Sequence, residues 1–257
     1  MRKSIIYTLI LTLLTAAAPR AAAASKAFSN ETLHYVISYK WGLLHKDAGN
    51  ATLTLRNVGD NYNVMLAART QPWADKFYSV RDTLRGTITR NGLVPRSYVK
   101  ITHEKGKYAK DEILYSKSGN VTKGLSRRYR PDENGIINMT EQTLSGTGPV
   151  YDMLSVYYYL RHIDYAALTR NKVYKATVFS GNMKETVTIR CQGIEKIKLR
   201  DKSEREAYHV KFKFTSDGGR KSSDDIDTWI STDDAHIPLY LVTKLPIGEV
   251  RVYFIPA

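Results

Sequence analysis

Cysteine is nearly absent from this sequence, since Cys191 is the only one among 257 residues. A single cysteine cannot form a disulfide within the chain, so the small disulfide-stapled folds are excluded. No such staple is needed, because a domain of this length buries enough surface to be held by a hydrophobic core. Cys191 shares a strand face with Val187 and Ile189, which predicts a buried core position rather than a reactive thiol.

Long hydrophobic runs are also missing, apart from one near the start. Two basic residues precede an apolar run from Ile5 to Ala18, and four alanines follow at 21–24. This order is typical of a secretory signal peptide, predicted here to span residues 1–24 with cleavage near Ala23 or Ala24. The run has about fourteen residues, fewer than the ~20 that a transmembrane helix needs. We therefore expect a protein exported to the periplasm or outer envelope of a bacterium, whose mature chain is soluble and has no transmembrane segment.

The familiar motifs of catalytic and cofactor sites are absent as well. The sequence has no Walker loop, no G-x-S-x-G, no H-E-x-x-H and no dinucleotide fingerprint, and its six histidines are scattered. Asp233, Asp234 and His236 form the one local group that suggests a metal ion, but an Asp-rich turn before an edge strand accounts for the same residues. We predict no catalytic residue, no metal and no cofactor.

Acidic residues are few relative to basic ones. The chain carries 39 Lys and Arg against 25 Asp and Glu, a net charge of +14, and removing residues 1–24 takes away three basic residues and leaves +11. An exported basic protein can bind anionic lipid headgroups, lipopolysaccharide or acidic glycans, although a charge that only keeps it soluble is the alternative. A nucleic-acid partner is not expected outside the cytoplasm.

Residues 100–130 concentrate this positive charge. If their basic side chains cluster in space, they would form an anion-binding rim at the surface. The alternative is a sheet edge that lysine and arginine protect against aggregation. The candidate rim residues are Lys105, Lys107, Lys110, Arg127, Arg128 and Arg130.

What the sequence has in abundance is alternation of apolar and polar residues. Leu33, Tyr35 and Ile37 fall on one strand face, and strongly turn-forming segments such as RPDENG at 130–135 separate the alternating runs. This pattern predicts a mainly β fold with about 11–13 strands in one large, curved antiparallel sheet, an incomplete barrel. We expect residues 25–257 to form a single β-rich domain.

The stretch GPVYDMLSVYYYLRHIDY at 148–165 departs from the alternation. Its apolar residues recur at helical spacing, and its tyrosines surround most of the helix circumference, so we predict a central helix near 150–163 that the sheet encloses. Asp152, Ser155 and His162 share one helix face, but Ser155 and His162 are about 10 Å apart along the axis, too far for a nucleophile and its base. Asp152 and Ser155 are better explained as capping groups of the first turn.

The run Asp152-x-Leu154-Ser155-x-x-Tyr158-x-x-Arg161 resembles the central helix of a bacterial domain-of-unknown-function family, number 3108. LHYVISYKWGLLHKDAG at 33–49 is similar to the opening strand of that family, and DTWISTDDAHIPLYLVTKLPIGEVRVYF at 227–254 to its closing hairpins. The resemblance covers about residues 30–256. The chain departs from the family where a Gln-Asp pair often precedes the helix, because it has Tyr151-Asp152 there.

The resemblance implies an exported protein without an assigned reaction, and no catalytic residue is carried over from it. At the level of the fold, it implies a likeness to the periplasmic lipoprotein carriers of the LolA and LolB type. Those proteins fold a curved antiparallel sheet into an incomplete barrel around an apolar cavity that a helix covers.

Three functional hypotheses follow. The first is a non-enzymatic envelope protein that binds a lipid-like or acyl ligand in an apolar groove, with Leu154, Tyr158 and Arg161 facing the groove, Trp229 near it, and Arg161 holding an anionic headgroup. The second is a structural or assembly module whose basic face docks on an envelope protein or on lipopolysaccharide, with the helix only plugging the sheet. The third is a glycan hydrolase, which needs two convergent buried carboxylates, whereas Asp152 is the only acid that the sequence places in the interior.

Overall fold

The computed structural model describes residues 27–165, 167, 173–217, 223 and 225–256. The predicted signal peptide and its cleavage site lie outside the described residues. Cys191 is buried, as its strand face predicted.

The described chain is mainly β, and its strands form one sheet. The strands are β1 Glu31–Trp41, β2 Leu44–Val58, β3 Asn61–Thr70, β4 Arg81–Thr89, β5 Pro95–Glu104, β6 Lys107–Ser118, β7 Val121–Pro131, β8 Ile137–Thr147, β9 Val150–Tyr151, β10 Val173–Ser180, β11 Met183–Lys198, β12 Glu204–Ser216, β13 Ile226–Ser231, β14 Pro238–Lys244 and β15 Glu249–Ile255. The predicted fold class is confirmed, although the described residues form fifteen strands rather than 11–13. β11 runs unbroken through a bulge between Cys191 and Gly193, and the two-residue β9 lies where the sequence predicted helix.

The chain runs from the middle of the sheet to one edge, and then from the opposite edge back to the middle. The order is β8-β7-β6-β5-β4-β3-β2-β1-β15-β14-β13-β12-β11-β10-β9, so β1 pairs with β2 on one side and with the last strand, β15, on the other. Neighbouring strands are antiparallel, except that β9 runs parallel to β10. Antiparallel pairing places the β1–β2 turn, the β3–β4 connection and the β14–β15 turn at the same end of the sheet, which we call the mouth end.

Side chains join the two sides of the curled sheet into a nearly closed barrel. Across the seam where the two ends of the sheet meet, the Ser126 hydroxyl of β7 donates to the carbonyl of Gly181 at 2.7 Å. Arg128 Nη1 donates to Oδ1 of Asn182, in the same β10–β11 turn, at 3.0 Å. Gly124 leaves the space that the ring of Phe179 occupies, because a Cβ atom there would lie 2.7 Å from Phe179 Cδ2. Closure of this kind protects the edges of a sheet from pairing with other chains.

Two short helices belong to the described fold. α1, Pro72–Tyr78, lies in the β3–β4 connection at the mouth end, and α2, Ser155–Leu160, lies inside the barrel. The prediction of an enclosed central helix is confirmed, but α2 is shorter than the predicted 150–163, because Val150 and Tyr151 pair with β10 instead. Among the described residues, no helix is long and apolar enough to span a membrane.

Candidate functional site

The part of the barrel around α2 is filled with protein. Leu154, Tyr158 and Leu160 are buried, and the Tyr157 hydroxyl lies 3.0 Å from that of Tyr35 on β1. The ring of Phe28 packs edge-on against Tyr158, with ring centroids 5.2 Å apart. Leu154 and Tyr158 do face the interior as predicted, but they contact protein there.

Asp152 and Ser155 begin the helix as a reciprocal cap. Asp152 Oδ1 accepts hydrogen bonds from the backbone N–H groups of Leu154 at 2.6 Å and Ser155 at 2.9 Å, and Ser155 Oγ accepts from the N–H of Asp152 at 2.8 Å. This arrangement satisfies N–H groups that have no partner within a helix. The capping role predicted for the pair is confirmed, and the serine is engaged with Asp152 rather than with His162.

Arg161 is held inside the protein by its own chain. Its guanidinium forms a two-pronged ion pair with the carboxylate of Glu31, in which Nη2 lies 3.1 Å from Oε2, and its Nε donates to the carbonyl of Ala235 at 3.0 Å. The Arg161 side chain is only 2% exposed. The predicted role in holding a ligand headgroup is therefore corrected: these partners satisfy the charge within the fold.

Trp229 does not join these residues. On β13 it alternates with Thr228 and Ile230, which are buried on the inner face, so Trp229 lies on the outer face of the sheet. There it stacks between His209 and Tyr240, with ring centroids 4.6 Å and 5.0 Å away. The prediction that Trp229 lies near the groove was wrong, because successive residues of a strand point to opposite faces.

The predicted anion-binding rim is divided between the two faces of the sheet. Arg127 lies on the outer face and pairs with Glu141 at 2.7 Å, whereas Arg128 and Arg130 turn inward and bind Asp111 at 3.1 Å and 2.6 Å. Lys110 pairs with Glu112 at 2.5 Å. Lys105 and Lys107 flank the β5–β6 turn, where Lys105 Nζ lies 5.1 Å from the centre of the Tyr78 ring. The three arginines of the rim are thus engaged by carboxylates of the chain.

Buried acids are more numerous than the sequence indicated. Besides Asp152, the residues Asp82, Asp111 and Glu185 are buried, so the prediction of a single interior acid was wrong. Asp111 is compatible with burial because two arginines neutralise it. These acids were not predicted to be buried, because the alternation pattern assigns charged residues to the outer face of a strand.

Asp82 and Lys100 titrate closer to neutrality than is usual for their types. Burial raises the pKa of Asp82 to about 7, helped by the neighbouring Glu104 carboxyl and opposed by the N–H of His103, which donates to Asp82 Oδ1 at 3.0 Å. Burial likewise lowers the pKa of Lys100 to about 8, against the attraction of Asp82 and Asp111. Groups with such pKa values can exchange protons near pH 7. Asp82 is only 2% exposed, however, so its carboxyl group is not accessible to a substrate at the surface.

An open cavity of about 500 Å³ lies at the mouth end, away from α2. Its walls are the inner faces of β1, β2, β3 and β15 together with α1. The lining residues are mostly aliphatic or aromatic: Ile37, Ser38, Tyr39, Trp41, Leu44, Ala48, Gly49, Ala68, Arg69, Thr70, Trp73, Ala74, Phe77, Tyr78, Val80, Leu245, Ile247 and Val250. The apolar groove predicted beside Leu154, Tyr158 and Arg161 is thus replaced by a cavity that none of them lines.

α1, which covers this cavity, was not predicted from the sequence. Pro72 occupies the first turn, where its missing N–H costs no hydrogen bond, and the backbone N–H of Gln71 donates to the carbonyl of Ala48 at 2.8 Å. Trp73 Nε1 donates to the carbonyl of Asp47 at 2.7 Å, which fixes the helix over β2. The sequence feature that indicates this helix is Gln71-Pro72 followed by Trp73 and Phe77, which lie one helical turn apart.

The Asp-rich turn at 233–236 is a structural feature. Asp233 Oδ1 accepts hydrogen bonds from the Ser231 hydroxyl at 2.8 Å and from the N–H of Ala235 at 3.0 Å. His236 Nδ1 lies 3.1 Å from the carbonyl oxygen of Arg161. Within the described ranges, no group of three or more metal-ligating side chains is arranged to hold a metal ion.

Comparisons with known proteins agree with this architecture. Residues 34–255 match the family described as "Protein of unknown function (DUF3108)". The crystal structure of a β-barrel-like protein of domain of unknown function DUF1849 from Brucella abortus is similar, with a TM-score of 0.59 and 12% identity over 88% of this chain and 95% of that chain. At this identity the likeness shows the fold alone. Among curated proteins, none matches the chain.

Proposed function

The chain belongs to the DUF3108 family of proteins of unknown function, and we propose that it is an exported binding protein that holds an apolar, acyl-bearing ligand in its mouth cavity without catalysing a reaction. The observation that carries the proposal is the cavity itself. Its volume of about 500 Å³ lies within the ~300–1,000 Å³ range of small-molecule sites. The lining side chains offer an acyl chain aliphatic and aromatic contact surfaces, which favour apolar ligands.

The chemistry around the cavity supports binding rather than catalysis. Three of its polar lining residues are Ser38, Arg69 and Thr70. Ser38 is already engaged, since its hydroxyl donates to Asp47 Oδ1 at 2.6 Å and accepts from Arg200 at 3.2 Å. A nucleophile must be free to reach its substrate, and the bonds to Asp47 and Arg200 tie this hydroxyl to the wall.

Export is supported by the signal-peptide pattern of residues 1–24. An envelope protein with an apolar cavity is suited to carry acyl-bearing molecules across an aqueous compartment. The likeness to lipoprotein carriers of the LolA and LolB type belongs to this proposal as an analogy, because one fold hosts many functions.

A structural or assembly role in the envelope is the second candidate. The tight packing of α2, with Val156, Tyr158 and Leu160 fully buried, supports the idea that the helix plugs its part of the barrel. The predicted basic docking face gives this role less support, because its arginines are already paired with acids of the chain: Arg127, Arg128 and Arg130.

The test of ligand binding uses two alanines that are neighbours on β3. Ala68 lines the cavity, whereas Ala67 faces the other side of the sheet. We expect a fluorescent fatty acid such as cis-parinaric acid to bind the chain, and Ala68→Phe to weaken binding about tenfold or more because the added ring occupies the cavity. Ala67→Phe adds the same ring outside and should leave the affinity unchanged.

Two results would contradict the proposal. One is an affinity of the Ala68→Phe variant equal to that of the unchanged chain. The other is the absence of probe binding by the chain, with native mass spectrometry after gentle extraction giving only the ligand-free mass.

A further inference from the structure

Five large apolar side chains project into solvent around the opening of the cavity. These residues, which we call the mouth patch, are Trp41, Leu43, Leu44, Phe77 and Ile247, with exposed fractions of 60%, 106%, 42%, 75% and 61%. Single exposed apolar residues are ordinary on protein surfaces, but a group of them at one site marks an interaction surface.

Hydrogen bonds and close packing hold α1 and the β14–β15 turn against the neighbouring strands. Trp73 Nε1 ties α1 to β2 through the carbonyl of Asp47, and the Tyr39 hydroxyl of β1 donates to the carbonyl of Ile247 at 3.0 Å. Gly248 lets the β14–β15 turn approach β1 closely, because a Cβ atom there would lie 2.4 Å from the carbonyl oxygen of Lys40. The patch is therefore a pre-formed platform.

Leu43 gives the clearest sign that the patch faces a partner. It stands in the tight turn between β1 and β2, where Gly, Asn and Asp are the usual residues, and Gly42 supplies a positive φ of 55°. The Leu43 side chain is fully exposed and contributes no buried surface to the core. Its apolar surface is thus entirely available for contact with another molecule.

The surroundings of the mouth patch are basic. The segments 39–47, 69–81 and 244–251 contain the basic residues Lys40, Lys46, Arg69, Lys76, Arg81, Lys244 and Arg251, and the acids Asp47, Asp75 and Glu249. Each of the three acids is paired with an arginine of the chain. Lys46, Lys76 and Lys244 are exposed and, in the part of the chain that the structure describes, form no salt bridge.

From this arrangement we propose that the mouth end docks on an anionic lipid bilayer. The mouth patch enters the acyl boundary, and the surrounding lysines bind the phosphate groups of the lipids, a combination typical of interfacial membrane binding. A second copy of the chain fits less well, because like charges would face each other across the interface. Docking also places the opening of the cavity against the membrane, which gives an acyl ligand a path that avoids water.

Vesicle sedimentation tests the docking with the chain that begins at residue 25, which contains the whole described fold. We expect the chain to sediment with vesicles of equimolar phosphatidylcholine and phosphatidylglycerol, more weakly at high salt, and less with phosphatidylcholine alone. Leu43→Glu combined with Phe77→Glu should weaken binding about tenfold or more, because each apolar side chain leaves the bilayer. Ile194→Glu is the control, since Ile194 is 57% exposed on β11, outside the patch.

A second pair of variants tests the contribution of charge. Lys76→Gln with Lys244→Gln should reduce binding to anionic vesicles and flatten its salt dependence. Lys117→Gln with Lys123→Gln removes the same charge beside the β6–β7 turn, at the opposite end of the barrel, and should change neither.

Several results would overturn the docking proposal. These are equal binding by the Leu43→Glu, Phe77→Glu variant and the unchanged chain, an equal loss in the Ile194→Glu control, and no vesicle binding at all. A dimer in analytical ultracentrifugation that Leu43→Glu dissociates would assign the patch to a second copy instead.

Failure of the docking can be told apart from failure of the proposed function. Ala68→Phe should block the fatty-acid probe while leaving vesicle binding intact. Leu43→Glu alone, at a residue that does not line the cavity, should weaken vesicle binding while keeping the probe, which also shows that the variant is folded.

Discussion

Asp152 is a fully buried carboxylate that starts α2 by accepting hydrogen bonds from Leu154 and Ser155. Burial raises its pKa to about 6, while the hydrogen bonds from Ser155 and Leu154 act in the opposite direction. Because this pKa lies above the ~3.9 of an unfolded aspartate, the folded protein holds this proton more strongly than the unfolded chain does. The contribution of Asp152 to stability is therefore greatest below about pH 4 and is lost as the pH rises through 6.

Asp152→Asn should abolish this dependence, since asparagine accepts the same hydrogen bonds and does not titrate. Relative to the unchanged chain, we expect the variant to gain up to about 3 kcal/mol in the free energy of unfolding between pH 4 and pH 7. Urea unfolding at several pH values measures the difference. Asp60→Asn, which removes a carboxyl group of the exposed β2–β3 turn, is the control variant. A difference that is constant for Asp152→Asn would refute the linkage.

The sequence predicted the environment of single residues better than their partners. Spacing within 148–165 correctly indicated that Leu154 and Tyr158 are enclosed and that Asp152 caps the helix. It could not show that Arg161 pairs with Glu31, because the two lie 130 positions apart and only the tertiary fold brings them together. Arg161 was therefore predicted to contact a ligand, because its partner Glu31 could not be identified from the sequence.

Closure of the barrel depends on the seam where β7 and β8, at one end of the sheet, face β9 and β10 at the other end. Gly124 faces the ring of Phe179, and a Cβ atom on Gly146 would lie 2.8 Å from Val150 Cγ2. These contacts leave no room for a larger residue unless a packed side chain moves. The two glycines therefore allow the strands of the seam to pack closely, because they carry no side chain there.

Gly124→Ala should destabilise the protein by about 1–3 kcal/mol, because the methyl group forces the Phe179 ring out of its packed position. Phe179→Leu introduced into the alanine variant should cost less than in the unchanged chain, since the smaller side chain gives room to the methyl group. Lys123→Ala, at the exposed neighbour on β7, is the control with little effect. Urea unfolding of the four chains of this double-mutant cycle measures the coupling, and strict additivity would contradict the role given to the seam.

Hairpins and the enclosed helix α2 were predicted from the sequence, whereas the short helix α1 was not. Turn chemistry such as that of RPDENG at 130–135 correctly separated the strands, because glycine, proline and asparagine fix turns locally. α1 was not predicted, since seven residues hold too few turns for a clear helical period. Val150 and Tyr151 were assigned to the helix because pairing with β10 depends on residues that follow in the sequence.

The whole molecule divides into a filled part and an open part. α2 and Phe28 fill the barrel on one side, and the cavity under α1 opens at the mouth end. The sequence predicted a curved sheet around an enclosed helix, but it placed the groove beside that helix. The location of empty space could not be predicted, because it depends on how completely the tyrosines of α2 fill the interior.

The three tryptophans of the chain allow a direct test of whether an apolar ligand binds at the mouth end. Trp41 and Trp73 line the cavity, whereas Trp229 lies on the outer face of the sheet. A dibrominated stearic acid quenches tryptophan fluorescence only at short range, so its effect on single variants reports where it binds. In Trp229→Phe, which keeps the two cavity tryptophans, we predict strong and saturable quenching. In Trp41→Phe combined with Trp73→Phe we predict none, and quenching of Trp229 in that variant would show that the ligand binds away from the mouth end.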